Sequence, residues 1–391
     1  MDFRINPENE DLLERAKIYA KEILAPRAQK IDEEGIFPRE NFDDLAREGF
    51  TSLTLPKELG GRDLYEDTAT YSMVLYELSK GCTNTAMLFH MHSSISHVIT
   101  YLGTDAQKRR YGEIIRGGKI IASYASENTS SLHGVWRMET KAIRDGDVYR
   151  INGRKYFCSM AGEADYYVLW VQLEEEENLT KSLGLLIAPS DNPGFKIDQE
   201  WNSFAMRGTI SHSMIYDDVK IPVEDLVGRG GDPIRPDVLP KFGFGYSAVY
   251  LGAGGGAFDW VVDYAQTRKL MPDNVPIATY PAIQRQIGEM KIALEGAILM
   301  LQRAGWMINA HGADKAYGAI NEAKYVCAEA SAFITEKALK VAGGPGLFRH
   351  NPLQRFHREA RAGLIMPPNT EKCLELTAKT VLEGSANVLG S

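Results

Sequence analysis

The chain has 391 residues, of which 44% are hydrophobic, enough for a large buried core divided among two or three domains. Acidic side chains outnumber basic ones by 52 to 44, and the formal net charge of -8 gives no general attraction to nucleic acid or anionic membranes. We therefore expect a globular protein with no nucleic-acid partner and no membrane association.

The N-terminal sequence and the cysteines narrow the expected location. The first residues, MDFRINPENE, are polar and acidic, unlike the basic and then apolar segments of a signal peptide. Apolar runs are interrupted by charged residues or glutamine before the roughly 18 residues that span a bilayer. The four cysteines are far apart and form no CxxC pair, so neither a zinc site nor a disulfide framework is predicted. A cytoplasmic location is expected.

The sequence up to residue 120 predicts a helical domain. Asn6 can cap a helix that opens at Pro7, and apolar residues recur at helical spacing until Pro26, where the helix is expected to end. An amphipathic helix is predicted over 71–78 and a more buried one over 86–102.

After residue 120 the pattern changes to that of a β-domain. The pairs Asp145-Gly146 and Asn152-Gly153 are turn signals around a short strand, and β-rich runs follow. Four consecutive glutamates at 174–177 lie between two of these runs and indicate a solvated loop rather than a metal site. The predicted strands cover 148–151, 166–173, 183–187 and 212–216.

The rest of the chain returns to a helical pattern. Apolar residues between Ile283 and Leu301 recur every three or four positions, which predicts a long helix in a bundle. The predicted fold class is mainly α with a central β-domain, in which a β-barrel or sandwich separates an N-terminal helical domain from a C-terminal helical bundle. The expected domains are 1–120, 121–230 and 231–391.

The sequence GAGGGA at 252–257 fits the GxGxxA pattern of nicotinamide-binding Rossmann units. Such a unit needs a second strand before its ribose-binding acid, whereas here a helix continues from Phe258 to about Arg268. We therefore interpret these glycines as sites of close helix packing.

Several short motifs occur in an order and at a spacing that resemble the acyl-CoA dehydrogenase family over nearly the whole chain. They are LPKELGG (55–61), ASENTSS (125–131), GRKYFCS (153–159), MRGTISHSMIYDDVKIP (206–222), DYAQTRK (263–269), VAGGPG (341–346) and REAR (358–361). The resemblance implies FAD bound between the β-domain and the C-terminal bundle. It also implies an acyl thioester substrate, on CoA or an acyl carrier protein, and a homotetramer built as a dimer of dimers.

The resemblance further implies which residues lie at the flavin ring. Ser126, followed by Glu127, takes the place of a threonine that contacts the ring in the family's TEPxxGSD segment. Phe157 and Ser159 occupy the positions of the stacking aromatic residue and of the hydroxyl that donates near flavin N5. For Phe157, packing within a strand is the alternative.

At the other end of the cofactor, Arg268 matches an arginine that reaches the FAD pyrophosphate of a neighbouring subunit. Two positions depart from the family pattern, because Met271 replaces an aromatic residue and Lys340 replaces a glutamine. Lys340 is a further candidate to pair with pyrophosphate. The glycines that let the backbone approach the same dinucleotide are matched by Gly343, Gly344 and Gly346.

The family's catalytic glutamate lies in a segment RDARxxxIYEGT, where this chain has REARAGLIMPPNTEK. Counted from Arg358, the glutamate position falls on Pro367, or on Pro368 after a shift of one residue. In the family this glutamate removes the substrate's α-proton and its N–H binds the thioester carbonyl, and proline supplies neither group. General-base assistance is worth roughly 10²–10⁴-fold and one oxyanion donor about 10²–10³-fold, so ordinary dehydrogenation is not expected.

Two residues are candidates for a replacement base. The family's second solution places the glutamate on the first helix of the bundle, where this chain has Tyr246, a phenol with an ordinary pKa near 10. Glu371 follows the prolines closely, and an exposed place on the last helix is its alternative interpretation. His92 and His133 are further candidates. The histidines at 90, 92 and 97 lack the i, i+4 spacing of a metal pair, so no metal is expected.

These observations favour an FAD-dependent oxidoreductase of the acyl-CoA dehydrogenase type that acts on an acyl thioester with a non-standard proton acceptor. A flavin-dependent monooxygenase or desulfinase-like enzyme is an alternative, because such relatives share the fold and need no α-proton base at this position. A catalytically degenerate subunit that contributes FAD-site elements to an active partner is the third hypothesis.

Overall fold

The computed structural model describes residues 5–128, 137–178 and 181–383. Helices form the first part of the chain, as predicted. The helix expected to end at Pro26 continues beyond it. A π-helical turn, Ala20–Leu24, joins two helices and places Pro26 in the first turn of the second. A missing N–H is tolerated there, because the first turn of a helix has no intrahelical partner for it. The helices are α1 (Glu10–Tyr19), α2 (Ala25–Glu34), α3 (Arg39–Arg47), α4 (Thr68–Gly81), α5 (Thr83–Leu102) and α6 (Asp105–Arg116).

Side-chain caps fix two of these helix starts. The carboxylate of Asp67 accepts a hydrogen bond from the N–H of Thr70 and opens α4. Thr104 and Gln107 form a reciprocal capping box at the start of α6. The predicted helix over 71–78 is confirmed as the central part of α4, and the one over 86–102 as all but the first turn of α5.

The central strands are β1 (Ile121–Tyr124), β2 (Lys141–Asp145), β3 (Val148–Cys158), β4 (Tyr166–Leu173), β5 (Leu183–Pro189), β6 (Phe195–Gln199), β7 (His212–Pro222) and β8 (Leu226–Val227). They form one eight-stranded sheet with the order β6-β7-β3-β2-β4-β5-β8, and β1 also pairs with β4. Strand 166–173 is confirmed at both ends, whereas the other predicted strands are longer than expected. The expected barrel or sandwich thus takes the form of a continuous mixed sheet, in which β4 pairs in parallel with both β1 and β2.

Long helices and a short hairpin complete the fold. The glycines at 252–257 lie inside the first of these helices, where a Cβ on Gly252 would stand 2.4 Å from the Cβ of Ser79 and one on Gly254 would stand 2.9 Å from the Cα of Ser331. Close helix packing is therefore confirmed for these glycines. The elements are α7 (Leu239–Thr267), β9 (Lys269–Leu270), β10 (Val275–Pro276), α8 (Pro281–His311), α9 (Tyr317–Ala342), α10 (Leu353–Ile365) and α11 (Thr370–Glu383).

The N-terminal helices and the C-terminal bundle share one hydrophobic core. Tyr71 and Val74 of α4 pack in the same buried cluster as Val249 of α7 and Ile334 of α9. The sheet has its own core on one face, and its other face packs against α5 and α6. Helix α5 contributes residues to all three clusters and therefore joins the sheet to the helical core.

No helix in the described part of the chain is long and apolar enough to cross a membrane. Nor do three or more His, Cys, Asp or Glu side chains in that part come together as a metal-binding group. The four cysteines are free and buried.

Candidate functional site

Phe157 projects from a bulge in β3, where the pairing with β7 shifts register between Lys155 and Cys158. Its φ of 54° lies in the left-handed region that aromatic residues rarely adopt, and the residue is 66% exposed. The indole of Trp201 meets the ring edge-on, with 6.0 Å between centroids. The bulge presents an aromatic ring to solvent, so strand packing does not account for Phe157.

Ser126 lies beside this bulge. Its carbonyl accepts a hydrogen bond from the N–H of Tyr156, 3.0 Å away, and the residue itself is exposed. The side-chain amide of Asn128 donates to the hydroxyl of the same tyrosine at 3.2 Å. The structure therefore brings Ser126 next to Phe157, as the resemblance implies. Residues 129–131 of that motif, and the candidate His133, lie outside the described residues.

A buried ion pair between Lys155 and Glu127 fastens the Ser126 segment to β3. The Glu127 carboxylate also accepts hydrogen bonds from the backbone N–H groups of Glu139 and Thr140. Burial lowers the pKa of Lys155, and the carboxylate of Glu127 opposes that shift. Glu127 directly follows Ser126, and Lys155 precedes Phe157 by two residues, so the ion pair links the two segments that carry the predicted ring contacts.

The hydroxyl of Ser159 begins a chain of hydrogen-bonded hydroxyl groups. Ser159 Oγ lies 2.8 Å from Ser211 Oγ, which lies 2.8 Å from the hydroxyl of Thr209. Thr209 donates to the carbonyl of Met206 at 2.8 Å, so each hydroxyl in the chain donates to the next. The hydrogen of Ser159 is therefore directed inward, toward Ser211.

Trp201 is a functional candidate that the sequence patterns did not single out. It lies between β6 and β7, where its N–H donates to His212 Nδ1 at 2.8 Å and its indole N–H donates to the carbonyl of Met206 at 2.9 Å. In the sequence, the only indication of a functional role was that Trp201 is a single tryptophan outside any predicted helix or strand. Both hydrogen bonds fix the indole beside Phe157.

The same loop is tied to both helical parts of the molecule. Arg358 of α10 donates to the carbonyl of Phe204 at 2.8 Å and forms an ion pair with Asp32 of α2. Arg207 donates to the carbonyl of Asp32 at 2.6 Å. Arg358 belongs to the REAR motif, so this motif helps to hold the aromatic loop against the rest of the fold.

The residues predicted to reach another subunit's cofactor lie together at one end of the bundle. Arg268 directly follows α7, and its exposed side chain makes no hydrogen bond within the described residues. One turn earlier, the hydroxyl of Tyr264 donates to the carbonyl of Ala342 at 3.4 Å and brings the end of α9 alongside. An exposed guanidinium and a glycine turn thus share one surface.

Glycine is required in that turn. Gly343 has a φ of 64°, and no atom lies within 4 Å of where its Cβ, or that of Gly344, would stand. Gly346 is buried and closes the turn by donating to the Gly343 carbonyl at 3.0 Å. Lys340 pairs with Glu336 on the same helix, and Met271 is 80% exposed. The open backbone fits close approach by a dinucleotide or another chain.

The two segments to which the resemblance assigns a catalytic base, after α10 and on α7, approach each other. Pro367 and Pro368 follow α10, and the ring of Pro368 lies 3.4 Å from where a Cβ on Gly243 would stand. Gly243 precedes Tyr246 by three residues on α7, so both lie near one helix face. Neither position supplies a carboxylate.

Tyr246 is poorly suited to accept a proton. Burial raises its pKa to about 12, so the phenol keeps its proton at neutral pH. The neighbouring ring of His90 lies 5.0 Å away between centroids and has no free nitrogen to accept a proton. Its Nε2 donates to the carbonyl of Phe242 and its Nδ1 accepts from the hydroxyl of Tyr71, each at 2.9 Å. Tyr246 can instead donate a hydrogen bond.

His92 cannot serve as the replacement base in this structure. Its Nδ1 accepts a hydrogen bond from the N–H of Ile121 at 3.1 Å, and its Nε2 then donates to the carbonyl of Thr51 at 3.2 Å. Burial lowers the pKa of His92 to about 4. Both nitrogens are occupied because the ring joins α5 to β1, which is a structural role.

Glu371 lies exposed in the first turn of α11. Two contacts tie that turn to the last turn of α10 and to the segment after it. Thr370 donates to the carbonyl of Leu364 at 3.5 Å, and the Cys373 thiol donates to the carbonyl of Pro368 at 3.5 Å. Glu371 thus lies in the first turn of a helix that is hydrogen-bonded to the proline pair through Cys373.

Family models cover almost the whole chain. The N-terminal, middle and C-terminal domains of acyl-CoA dehydrogenase match residues 6–118, 122–219 and 244–382. The chain therefore belongs to the acyl-CoA dehydrogenase family, whose cofactor is FAD. It is a flavin-dependent oxidoreductase of acyl thioesters.

Individual relatives agree with this assignment over their full length. The chain is 28% identical to the acryloyl-CoA reductase (NADH) of Anaerotignum propionicum, over 98% of this chain and 96% of the relative. It is also 28% identical to the short-chain specific acyl-CoA dehydrogenase of Clostridium acetobutylicum, over 95% and 97%. The butyryl-CoA dehydrogenase of Megasphaera elsdenii shares the fold with a TM-score of 0.89 at 24% identity, over 98% of this chain and 100% of that one.

Proposed function

We propose that this protein oxidises an acyl thioester, carried on CoA or on an acyl carrier protein, with a proton acceptor other than a side chain at position 367. The observation that carries this proposal is the sequence at the two positions to which the resemblance assigns a glutamate, where this chain has Pro367 and Tyr246 and therefore no carboxylate. Most of the flavin-site pattern implied by the resemblance is retained, with departures at Met271 and Lys340.

Three residues are suited to hold the flavin ring. The exposed ring of Phe157 offers a flat apolar face, and the indole of Trp201 fixes its edge. Ser126 is exposed and stands beside it, and the buried hydroxyl of Ser159, which is hydrogen-bonded to Ser211, would have to rotate to reach a ring. These groups fit an isoalloxazine, which when bound would accept a hydride from the substrate's β-carbon.

The pyrophosphate end is proposed to involve a second subunit. Arg268 presents a guanidinium without a partner among the described residues, and a planar guanidinium binds two phosphate oxygens at once. The open backbone at Gly343 and Gly344 lies on the same surface. We therefore propose a homotetramer in which these residues contact the cofactor of a neighbouring subunit.

For the proton we propose Glu371 as the acceptor and Tyr246 as a hydrogen-bond donor to the substrate. A carboxylate is the ordinary base for this reaction class, and Glu371 is the first one after the proline pair. The raised pKa of Tyr246 keeps its phenol protonated and able to donate to a thioester carbonyl. Each oxidation would give the α-proton to Glu371 and the β-hydride to the cofactor.

The absence of a carboxylate at both usual positions also favours a second candidate, a flavin-dependent monooxygenase or desulfinase-like activity that needs no α-proton base. Anaerobic mixing of the FAD-loaded protein with a panel of straight-chain acyl-CoAs separates the candidates. Rapid loss of flavin absorbance is expected for the proposed activity. No bleaching with any thioester, together with oxygen uptake when the flavin is reduced by another donor, contradicts it and favours the monooxygenase. No bound flavin favours a degenerate subunit.

We also propose domain boundaries near residues 120 and 230. The first falls between the end of α6 at Arg116 and the start of β1 at Ile121, and the second between β8 and α7. Because the helical parts share one core, the first and third domains are expected to unfold together.

A further inference from the structure

The phenol of Tyr246 is oriented by packing rather than by hydrogen bonds. Tyr246 is only partly buried, and its hydroxyl has no hydrogen-bond partner among the described residues. Burial alone raises its pKa, with no contribution from a hydrogen bond or a nearby charge. The direction in which the hydroxyl points therefore depends on the groups that contact the ring.

The imidazole of His90 is one of those groups. The planes of the two rings stand at 89° with 5.0 Å between centroids, which is a favourable geometry for a pair of aromatic rings. His90 is fully buried on α5, which packs against α7. A perpendicular contact of this kind restricts the tilt of the phenol as long as the imidazole itself cannot turn.

Two hydrogen bonds and a glycine hold the imidazole in place. Its Nε2 donates to the carbonyl of Phe242 and its Nδ1 accepts from the hydroxyl of Tyr71, each at 2.9 Å. Because one nitrogen donates and the other accepts, a flip of the ring would break both bonds. On the α7 side, a Cβ on Gly245 would stand 2.1 Å from Cε1 of His90. The ring thus lies directly on the backbone of α7, where only glycine leaves room for it.

His90 also binds the helical turn that carries Tyr246. In an α-helix the carbonyl of residue 242 accepts the N–H of residue 246, and this carbonyl is the one to which His90 donates. Burial lowers the pKa of His90 to about 4, so the imidazole is neutral at pH 7 and adds no charge. Its influence on Tyr246 is therefore one of position.

We propose, on the basis of the thioester function proposed above, that His90 is a positioning residue that aims the hydroxyl of Tyr246 at the thioester carbonyl. Tyr71 fixes the tautomer of His90, and Gly245 provides the space for its ring. His90 acts through Tyr246, so its removal should slow the reaction only while Tyr246 has a hydroxyl to aim.

A double-mutant cycle tests this dependence. Single-turnover flavin reduction is measured anaerobically with the straight-chain acyl-CoA that reduces wild type fastest. We expect Tyr246→Phe to slow it about 10²-fold, as for loss of an oxyanion donor. His90→Leu should slow it about 10-fold alone, because misplacement of a reacting group by about 1 Å can cost roughly 10²-fold, and less than about 2-fold when Tyr246→Phe is already present.

Two further variants separate position from stability. His90→Gln keeps an amide that can donate to Phe242 and accept from Tyr71, so it should recover part of the rate. Gly245→Ala should reproduce the effect of His90→Leu, because the added Cβ displaces the imidazole. Gly254→Ala is its control on the same helix, since its Cβ would meet the Cα of Ser331 instead. The flavin absorbance of each variant reports whether it folds with its cofactor.

His97→Leu is the matched control for the cycle. His97 lies on the same helix, but its ring packs against Tyr65 and Tyr101, so its effect should be the same with and without Tyr246→Phe. Equal slowing by His90→Leu in both backgrounds, or no slowing in either, overturns the inference. So does an unchanged rate in Tyr246→Phe, and in all these cases the thioester function stands. If no acyl-CoA reduces the flavin, the proposed function fails and the inference falls with it.

Discussion

The ammonium group of Lys155 lies 2.5 Å from the carboxylate of Glu127, and both side chains are at least 99% buried. Glu127 directly follows Ser126, and Lys155 lies on β3 two residues before Phe157, so the ion pair joins the two segments that carry the predicted flavin contacts. Because an isolated charge in a protein interior is very costly, each group depends on the other.

We expect Lys155→Met to lower the free energy of unfolding by about 3–5 kcal/mol, because it leaves the Glu127 carboxylate buried without its counter-charge. The double change Lys155→Met with Glu127→Gln should recover much of this loss. Urea unfolding at saturating FAD measures both. Lys196→Met is the control, since the pair of Lys196 with Asp217 is exposed and its loss should cost less than about 1 kcal/mol. Equal effects at the two lysines would contradict this account of the buried pair.

Arg268→Ala is expected to weaken FAD retention and to shift the protein from tetramer toward smaller species, because the guanidinium is proposed to bind a neighbour's pyrophosphate. Arg268→Lys should restore only part of the effect, since an ammonium cannot bind two oxygens in one plane. Light scattering combined with the flavin absorbance of each species measures both properties. Lys269→Ala removes the adjacent exposed charge and should change neither. A wild-type monomer that retains FAD tightly would exclude the proposed role between subunits.

The pH dependence of flavin reduction distinguishes the two candidate acceptors. With a pKa raised to about 12, only a small fraction of Tyr246 is phenolate at pH 7 to 9, and a phenolate base would make the rate rise about tenfold per pH unit. We predict a level rate over this range, as expected for a carboxylate base, and a level profile in Tyr246→Phe as well. Stopped-flow reduction at several pH values provides the measurement. A tenfold rise per unit that disappears in Tyr246→Phe would assign the base to Tyr246.

Pro367→Glu with Pro368→Gly is expected to speed flavin reduction by straight-chain acyl-CoA, because it supplies a carboxylate and a backbone N–H where relatives have them. Pro367→Glu alone should gain little, since the following proline restricts the backbone of residue 367, and a misplacement of about 1 Å can cost roughly 10²-fold. Single-turnover rates of the two variants and wild type make the comparison. A double variant no faster than wild type would show that the base position lies elsewhere.

The sequence predicted most of the elements because regular spacing carries that information. The long run of apolar residues from Ile283 to Leu301 lies within a single helix, and the β-rich run at 166–173 is a strand. Pro26 misled the prediction because a π-helical turn before it let the helix continue, and no local pattern marks such a turn. The motif order identified the family, and its assignment of Ser126 and Phe157 to the flavin ring stays a prediction.

The contacts that complete the site could not be predicted from spacing. Glu127 pairs with Lys155, and Arg358 pairs with Asp32, across 28 and 326 positions of the chain. Trp201 lies outside any periodic element. His92 is excluded as a base because its two ring nitrogens bind the backbone of Thr51 and Ile121, and only the folded chain brings these groups together. Long-range pairing of polar groups leaves no periodic trace in the sequence.

The most direct test of the account is single-turnover flavin reduction in wild type and in Glu371→Gln under anaerobic conditions. We predict that wild type is reduced by an acyl thioester and that Glu371→Gln keeps its FAD but is reduced about 10²–10⁴-fold more slowly, the usual range for loss of a general base. Glu375→Gln, one turn along the same helix, should behave as wild type. Equal rates in wild type and Glu371→Gln would contradict the assignment of the proton acceptor.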